Sequence, residues 1–169
     1  VTAGVAMYPE NGETVAALIR AADVALHDAK QRGVSLQFAN DKIQSMVSRR
    51  FGLERDLPRA LRNGEFEVYY QPRFELESGK LVGAEALVRW NHPEHGLLAP
   101  GEFIPVAEET GLIDDLGAWV LDEACQQLAR WRPWLGDEFS ISLNVSARQF
   151  RAGLCERVRR TVTRHQVPP

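Results

Sequence analysis

The hydrophobic and polar positions change period several times along the chain. Val1 to Tyr8 is rich in β-formers and ends at the turn cluster Pro9-Glu10-Asn11-Gly12. Glu13 to Arg32 carries Val15, Leu18, Ile19, Ala22 and Leu26 at helical spacing, with Gly33 placed to stop the helix. Ser35 to Ala39 fits one short strand. Asp41 to Asn63 is charged, with a single seam of Ile43, Met46, Val47, Leu53, Leu57 and Leu61, so it predicts an amphipathic helix; Pro58 predicts a kink or restart near Asp56. Phe66 to Gln71 alternates as a strand. Leu81 to Trp90 alternates too: Val82, Ala84, Ala86, Val88 and Trp90 share one face, and Leu81, Gly83, Glu85, Leu87 and Arg89 the other. Asn91 to Pro100 reads as a loop and Glu102 to Thr110 as a short helix ended by Gly111. Asp114 to Trp131 is a second helix with Leu116, Val120, Ala124, Leu128 and Trp131 on one face. Phe139 to Val145 alternates strictly, and Leu154 to His165 is a basic helix.

From Phe66 onward strands alternate with helices, which predicts an α/β barrel or a doubly wound sheet. The stretch from Phe66 to Pro169 is well short of the roughly 250 residues of a complete eightfold barrel. No internal repeat or low-complexity segment interrupts it.

Composition narrows the function. The 169 residues carry a net charge of −3, with 44% hydrophobic and 25% charged residues. Such a chain presents no basic field for a nucleic acid polymer or an anionic membrane. It has no apolar run near the roughly 20 residues that span a bilayer, so no membrane contact is expected from this segment. The start, Val1-Thr2-Ala3-Gly4, lacks a basic n-region and reads as the middle of a strand, which suggests an upstream cut. Cys125 and Cys155 are far apart in sequence and read as buried small hydrophobes. A reducing cytoplasmic location fits, any membrane anchor of the parent lying upstream.

The chemistry-bearing residues come in a fixed order of motifs. Tyr70-Gln71-Pro72 precedes Gly83-Ala84-Glu85-Ala86-Leu87-Val88-Arg89-Trp90. Pro100-Gly101-Glu102-Phe103-Ile104-Pro105 and Ala107-Glu108-Glu109-Thr110-Gly111-Leu112-Ile113 follow, and Ser142-Leu143-Asn144-Val145-Ser146-Ala147 comes last. Glu85-Ala86-Leu87 alone is a weak signal, but the series resembles the N-terminal portion of an EAL domain. The first residues resemble the end of a GGDEF domain: Gly4-Val5-Ala6 with Tyr8-Pro9 is similar to its late strand and turn, and Ala22 to Lys30 to its last long helix. His27 stands where tyrosine is usual there, and Val34-Ser35 replaces the usual Arg-Asn. The resemblance implies a GGDEF remnant over residues 1–40, a linker helix over 41–64, and the first part of a TIM-like EAL barrel over 65–169. Without the GGDEF motif, diguanylate cyclase activity is not expected.

EAL domains hydrolyse one phosphodiester bond of cyclic di-GMP to give pGpG, so the resemblance implies a site for two Mg2+ or Mn2+ ions. Two metals stabilise the attacking and leaving oxygens of an in-line displacement and acidify the attacking water. By the same resemblance Glu85 and Asn144 are metal ligands, Arg89 pairs with a substrate phosphate, and Gln71 and Leu87 line the dinucleotide site. The strand geometry agrees in part, for Glu85 and Arg89 share a face about 13 Å apart, and Asn144 is on the polar face near its strand's end. The family's other metal-binding acids, its catalytic lysine and its later glutamate and glutamine fall beyond Pro169, so this chain alone is expected to be inactive or nearly so.

Plainer roles stand beside these. Glu85 and Arg89 on a lone strand are ordinarily solvent-facing or paired, Asn144 can hold a turn, and Gln71 can cap its strand. His92 and His95 are too poorly spaced for a metal. Of Glu108 and Glu109, one is expected on the helix surface and the other in a structural contact. Trp119, Trp131 and Trp134 read as packing residues, and Arg157, Arg159, Arg160 and Arg164 as a solvated helix face. A cyclic di-GMP sensor without catalysis, and an interaction piece that forms a homodimer through the EAL part or the linker helix, remain as alternatives. A partial barrel is expected to fold marginally or to self-associate.

Overall fold

The computed structural model describes residues 1–151 and 153–167, and the side chains of these except 41–48. The chain divides into two compact units, Val1–Leu53 and Glu54–Pro169.

In the first unit, β1 (Ala3–Val5) and β2 (Leu36–Phe38) pair in parallel, joined by α1 (Val15–Arg32). Thr14 starts α1 because its hydroxyl accepts the Ala17 N–H at 3.2 Å, and Gly33 ends it in the left-handed region at φ 66°. Ala21, Ala25 and Ala39 form a small core with Ala6 against it. A side chain at Gly4 would strike the backbone of Ala22 and Leu26, so the strand lies directly on the helix.

Helix α2 (Asp41–Asn63) runs through Pro58 as one assigned helix, where the sequence predicts an interruption. Proline removes one helical hydrogen bond, but Leu57 and Ala60 on either side are fully buried, and burial of that face opposes a break. Ile43, Met46 and Val47 lie outside the described side chains. Of the rest of the seam, Leu53 and Leu57 are buried and Leu61 is half-buried.

In the second unit, β3 (Phe66–Phe74) runs antiparallel to β4 (Leu81–His92), which pairs antiparallel with β5 (Gly96–Leu98) and parallel with β6 (Ser140–Leu143). Helices α3 (Pro100–Thr110), α4 (Ile113–Leu135) and α5 (Leu154–Arg164) complete it. Period-2 alternation settles which face of β4 is covered: Ala84, Ala86 and Trp90 are buried, whereas Val82, at the strand's start, is exposed. Trp90 is enclosed by Phe66, at 5.4 Å between ring centroids, and by Phe103 of α3 at 5.7 Å. Tyr70 meets Trp131 of α4 at 4.8 Å. The helices therefore cover the Phe66–Tyr70–Ala86–Trp90 face, and the residues between these turn the other way.

Several expectations change. β5 lies inside the expected loop, and α3 begins at Pro100, whose fixed φ and missing N–H suit a first helical turn. Trp134 is 85% exposed, since Pro133 and Gly136 close α4 around it, and Cys155 is exposed rather than buried. The α5 arginines are not simply solvated: Arg157 donates to the Asp114 carbonyl and Arg164 pairs with Asp122 at 3.0 Å. No described helix is long and apolar enough to cross a membrane.

Candidate functional site

The candidate site is the uncovered face of the β3–β4–β6 sheet. Register decides its membership. Gln71 stands opposite Glu85, Tyr69 opposite Leu87, and Glu67 opposite Arg89; on the other edge Ser142 stands opposite Glu85. Side chains directly opposite on one face are near neighbours, so Gln71, Glu85 and Leu87 lie together. Glu85, Leu87 and Arg89 are each half-buried, while Gln71 and Asn144 are exposed. Gln71 is in the middle of β3, which removes the strand-capping alternative.

The most specific contact is between Glu85 and Asn144. The Asn144 Nδ2–H donates to Glu85 Oε1 at 2.6 Å, across 59 positions of sequence. The alternation predicts Asn144 within its strand, but β6 ends at Leu143 and Asn144 opens the following turn. Each residue keeps one further oxygen, Glu85 Oε2 and Asn144 Oδ1, which no hydrogen bond engages among the described residues. A carboxylate and an amide oxygen on adjoining backbone segments are the hard donors that Mg2+ or Mn2+ takes. Among the described residues no group of three or more His, Cys, Asp and Glu gathers for a metal.

Arg89 stands apart. Its guanidinium lies over the Tyr69 ring at 5.4 Å, and Nη1 donates to the Val88 carbonyl at 2.9 Å. Stacking on an aromatic face holds the planar group while leaving other N–H donors for an anion. Tyr69 has no individual signal in the sequence; only its register opposite Leu87 brings it in.

The turn after Asn144 is tied to two helices. Ser146 Oγ–H donates to Glu108 Oε1 at 2.6 Å, and Arg148 Nη1 donates to the Glu108 carbonyl at 2.6 Å. Ser146 N–H donates to Gln149 Oε1 at 3.0 Å, and Ser146 Oγ accepts from Arg148 N at 3.2 Å, capping the short 3-10 turn Ala147–Gln149. Glu108 is thus the structural contact of the Glu108–Glu109 pair. Its signal in the sequence is only its place on the polar side of α3.

Two further features belong to the scaffold. His92 is buried, accepts the Glu94 N–H at its Nδ1, stacks on His95 at 4.5 Å, and faces Asp56 of α2 at 3.5 Å through Nε2. The Arg55 guanidinium, paired with Asp56 through two hydrogen bonds, holds that carboxyl below its ordinary value. A cavity of about 510 Å³ lies on the helix side of the sheet, among Val88, Ile104, Leu116, Val120 and Leu143. It is mostly apolar, and its lining includes Leu87, Asn144 and Glu108 but none of Gln71, Glu85 or Arg89.

Comparison with models of protein families matches residues 54–169 to the EAL domain. Among curated proteins, the bifunctional diguanylate cyclase/cyclic di-GMP phosphodiesterase MucR of Pseudomonas aeruginosa is 40% identical over 168 residues, 98% of this chain and 24% of that protein. The cyclic di-GMP phosphodiesterase NbdA of the same organism is 37% identical over 92% of this chain and 20% of its own length. The chain thus spans about a quarter of such relatives or less. Among solved structures, a complex of the MucR phosphodiesterase with c-di-GMP aligns with a TM-score of 0.67 at 44% identity, covering 70% of this chain and 48% of that one. The EAL enzyme Bd1971, in a form bound to cAMP and cyclic di-GMP, aligns with a TM-score of 0.67 at 27% identity, over 92% of this chain and 42% of its own.

Proposed function

We propose that this chain, which belongs to the EAL domain family, is part of a cyclic di-GMP signalling protein and carries one portion of a metal-dependent phosphodiesterase site. The observation that carries the proposal is the Glu85–Asn144 contact at 2.6 Å, with Gln71 opposite Glu85. In this reading Glu85 and Asn144 hold a Mg2+ or Mn2+ ion, Arg89 receives a phosphate of cyclic di-GMP, and Gln71 and Leu87 line the guanine-bearing ligand. The ion supplies charge neutralisation at the phosphate oxygens. The chain's own residues orient: Glu85 and Asn144 set where the cation stands, and Arg89, held flat by Tyr69, sets where a phosphate docks. Hydrolysis to pGpG is assigned to the whole protein, of which this chain supplies the first strands of a TIM-like barrel.

We further assign residues 1–40 to the end of a GGDEF domain, 41–64 to a linker helix and 65–169 to the EAL part. The assignment is supported by the β1–α1–β2 unit and by a match to MucR over 98% of this chain. Homodimerisation through the EAL part or α2, and a cytoplasmic setting, belong to the same proposal.

A second reading is a sensor that binds cyclic di-GMP without cleaving it. It is favoured by the placing of Gln71, Leu87 and Arg89 on one face, whereas the candidate cation ligands Glu85 and Asn144 beside them speak against it. Calorimetric titration with cyclic di-GMP, with and without Mg2+ or Mn2+, separates the two. The phosphodiesterase reading expects binding that requires the cation and is lost in Glu85→Ala. Binding without a cation that Arg89→Ala alone abolishes moves the sensor reading to first place, and no binding in any condition removes the preformed site.

A further inference from the structure

We infer that Glu108 is a positioning residue for Asn144, fixing the turn from which the Asn144 amide reaches Glu85. Its consequence for cation binding rests on the reading of Glu85 and Asn144 given above; its geometry does not.

Asn144 needs such a device. It is exposed, its side chain is held by a hydrogen bond to Glu85, and it lies one residue past the end of β6, beyond the ladder with β4. Whether its amide reaches Glu85 therefore depends on the backbone of the turn. That backbone is fixed two residues later, at Ser146. The Ser146 hydroxyl donates to Glu108 Oε1 at 2.6 Å, the short length of a hydroxyl–carboxylate hydrogen bond, which is about twice as strong as a neutral one. Arg148 reaches back to the Glu108 carbonyl at 2.6 Å, so side chain and main chain of one residue grip both ends of the turn.

Glu108 is a firm point of attachment. It follows Val106 and Ala107, which are 4% and 0% exposed, on a helix whose Phe103 is fully buried. The opposite flank is held as well. Gln149, 7% exposed, accepts the Ser146 N–H, and its side-chain amide lies so close to Gly117 of α4 that a Cβ there would meet Gln149 Cδ at 3.1 Å. Groups hydrogen-bonded directly to a metal ligand alter metal affinity by about 10–100-fold when removed; Glu108 acts one step further out, through Ser146, so the low end of that range is expected.

Nuclear magnetic resonance of the full 169-residue chain tests this directly. The Asn144 side-chain amide pair is assigned by its loss in Asn144→Asp, and the Trp90 indole N–H, bonded to Glu65 at 3.0 Å, serves as a marker of the fold. Glu108→Ala is expected to move the Asn144 pair to the position of a free asparagine amide while Trp90 stays in place. Glu108→Gln retains an oxygen that accepts from Ser146, and is expected to keep the native position. In a Mn2+ titration, broadening of the Asn144 pair is expected to require about tenfold more metal in Glu108→Ala than in the wild type or Glu108→Gln. Where Glu108→Ala unfolds, Ser146→Ala removes the same bond without altering α3, together with the cap on the Arg148 N–H, and the same displacement is expected.

An unmoved Asn144 pair in folded Glu108→Ala overturns the inference. So does displacement of Trp90 in both Glu108→Ala and Ser146→Ala, which gives Glu108 a general structural role. Displacement of the Asn144 pair in Glu108→Ala, with no broadening by Mn2+ in the wild type, upholds the positioning role and overturns the cation reading alone.

Discussion

The two edges of β4 hold their candidate residues in different ways. On the β3 edge the ladder pairs nine positions, Phe66 to Phe74, and its covered side is closed by Phe66, Trp90 and Phe103. Gln71 sits within that ladder, and its position is a consequence of strand pairing. On the β6 edge the ladder pairs four positions, Gly83 to Ala86 against Ser140 to Leu143, and Asn144 lies just outside it. Pairing fixes Glu85 on both sides, whereas Asn144 depends on a turn pinned by Ser146, Glu108 and Gln149. One half of the Glu85–Asn144 pair belongs to the sheet, and the other to a clamp of polar side chains. Damage to the core should thus remove both, and damage to the short ladder should remove one.

The largest effect is expected at the core. Trp90→Ala deletes a fully buried ring and the hydrogen bond to Glu65, and should cost about 3–5 kcal/mol. Urea unfolding followed by far-UV circular dichroism measures it. A loss below about 1 kcal/mol would mean that the aromatic cluster is not what secures the β3 edge.

Gly83→Ala addresses the other edge by itself. A Cβ at Gly83 would meet the Ser140 carbonyl oxygen at 2.6 Å and Arg73 Nη2 at 2.7 Å. Arg73 can swing away, but the carbonyl belongs to β6, so β4 and β6 must part. The expected cost is about 1–3 kcal/mol, with the Asn144 amide released from Glu85 and the Trp90 indole resonance unchanged. A native Asn144 amide signal in Gly83→Ala would show that the turn places Asn144 without help from the ladder.

The faces of β4 were readable from sequence because period-2 alternation has only two solutions, and Ala84, Ala86 and Trp90 select one. Register was not readable: nothing in the composition of Phe66 to Phe74 says that Gln71, rather than Tyr69, stands opposite Glu85. Asn144 was placed in a strand because Phe139 to Val145 keeps alternating after the hydrogen bonds stop at Leu143. β5 was hidden by Pro93 and Gly96, which punctuate a hairpin as readily as a loop. Pro58 misled because its cost is local, whereas the burial of Leu57 and Ala60 that offsets it is tertiary. Trp134 misled in the opposite sense, since aromatic bulk next to Pro133 carries no information about which side of the helix end it leaves. Glu108 was one of two adjacent glutamates, and only the turn arriving from β6 distinguishes them.

The smallest expected effect tests how far the β3 edge depends on charge as well as packing. Asp56, 5% exposed, takes two hydrogen bonds from Arg55, each at 3.1 Å, and faces His92 near the end of β4. The Arg55 pairing lowers the Asp56 pKa below its ordinary 3.8. A depressed carboxyl contributes stability that is present above the unfolded-state value and is lost as pH falls through the folded-state value. Stability from this group should therefore be intact at pH 7 and decline below about pH 4. Arg55 is exposed and screened by solvent, so Asp56→Asn should cost only about 1 kcal/mol at pH 7. The difference between wild type and variant in urea midpoint should shrink toward zero as the pH is lowered past 4. A difference that persists unchanged at pH 3 would assign the contribution of Asp56 to its shape and neutral hydrogen bonding, leaving packing alone to account for the stability of the β3 edge.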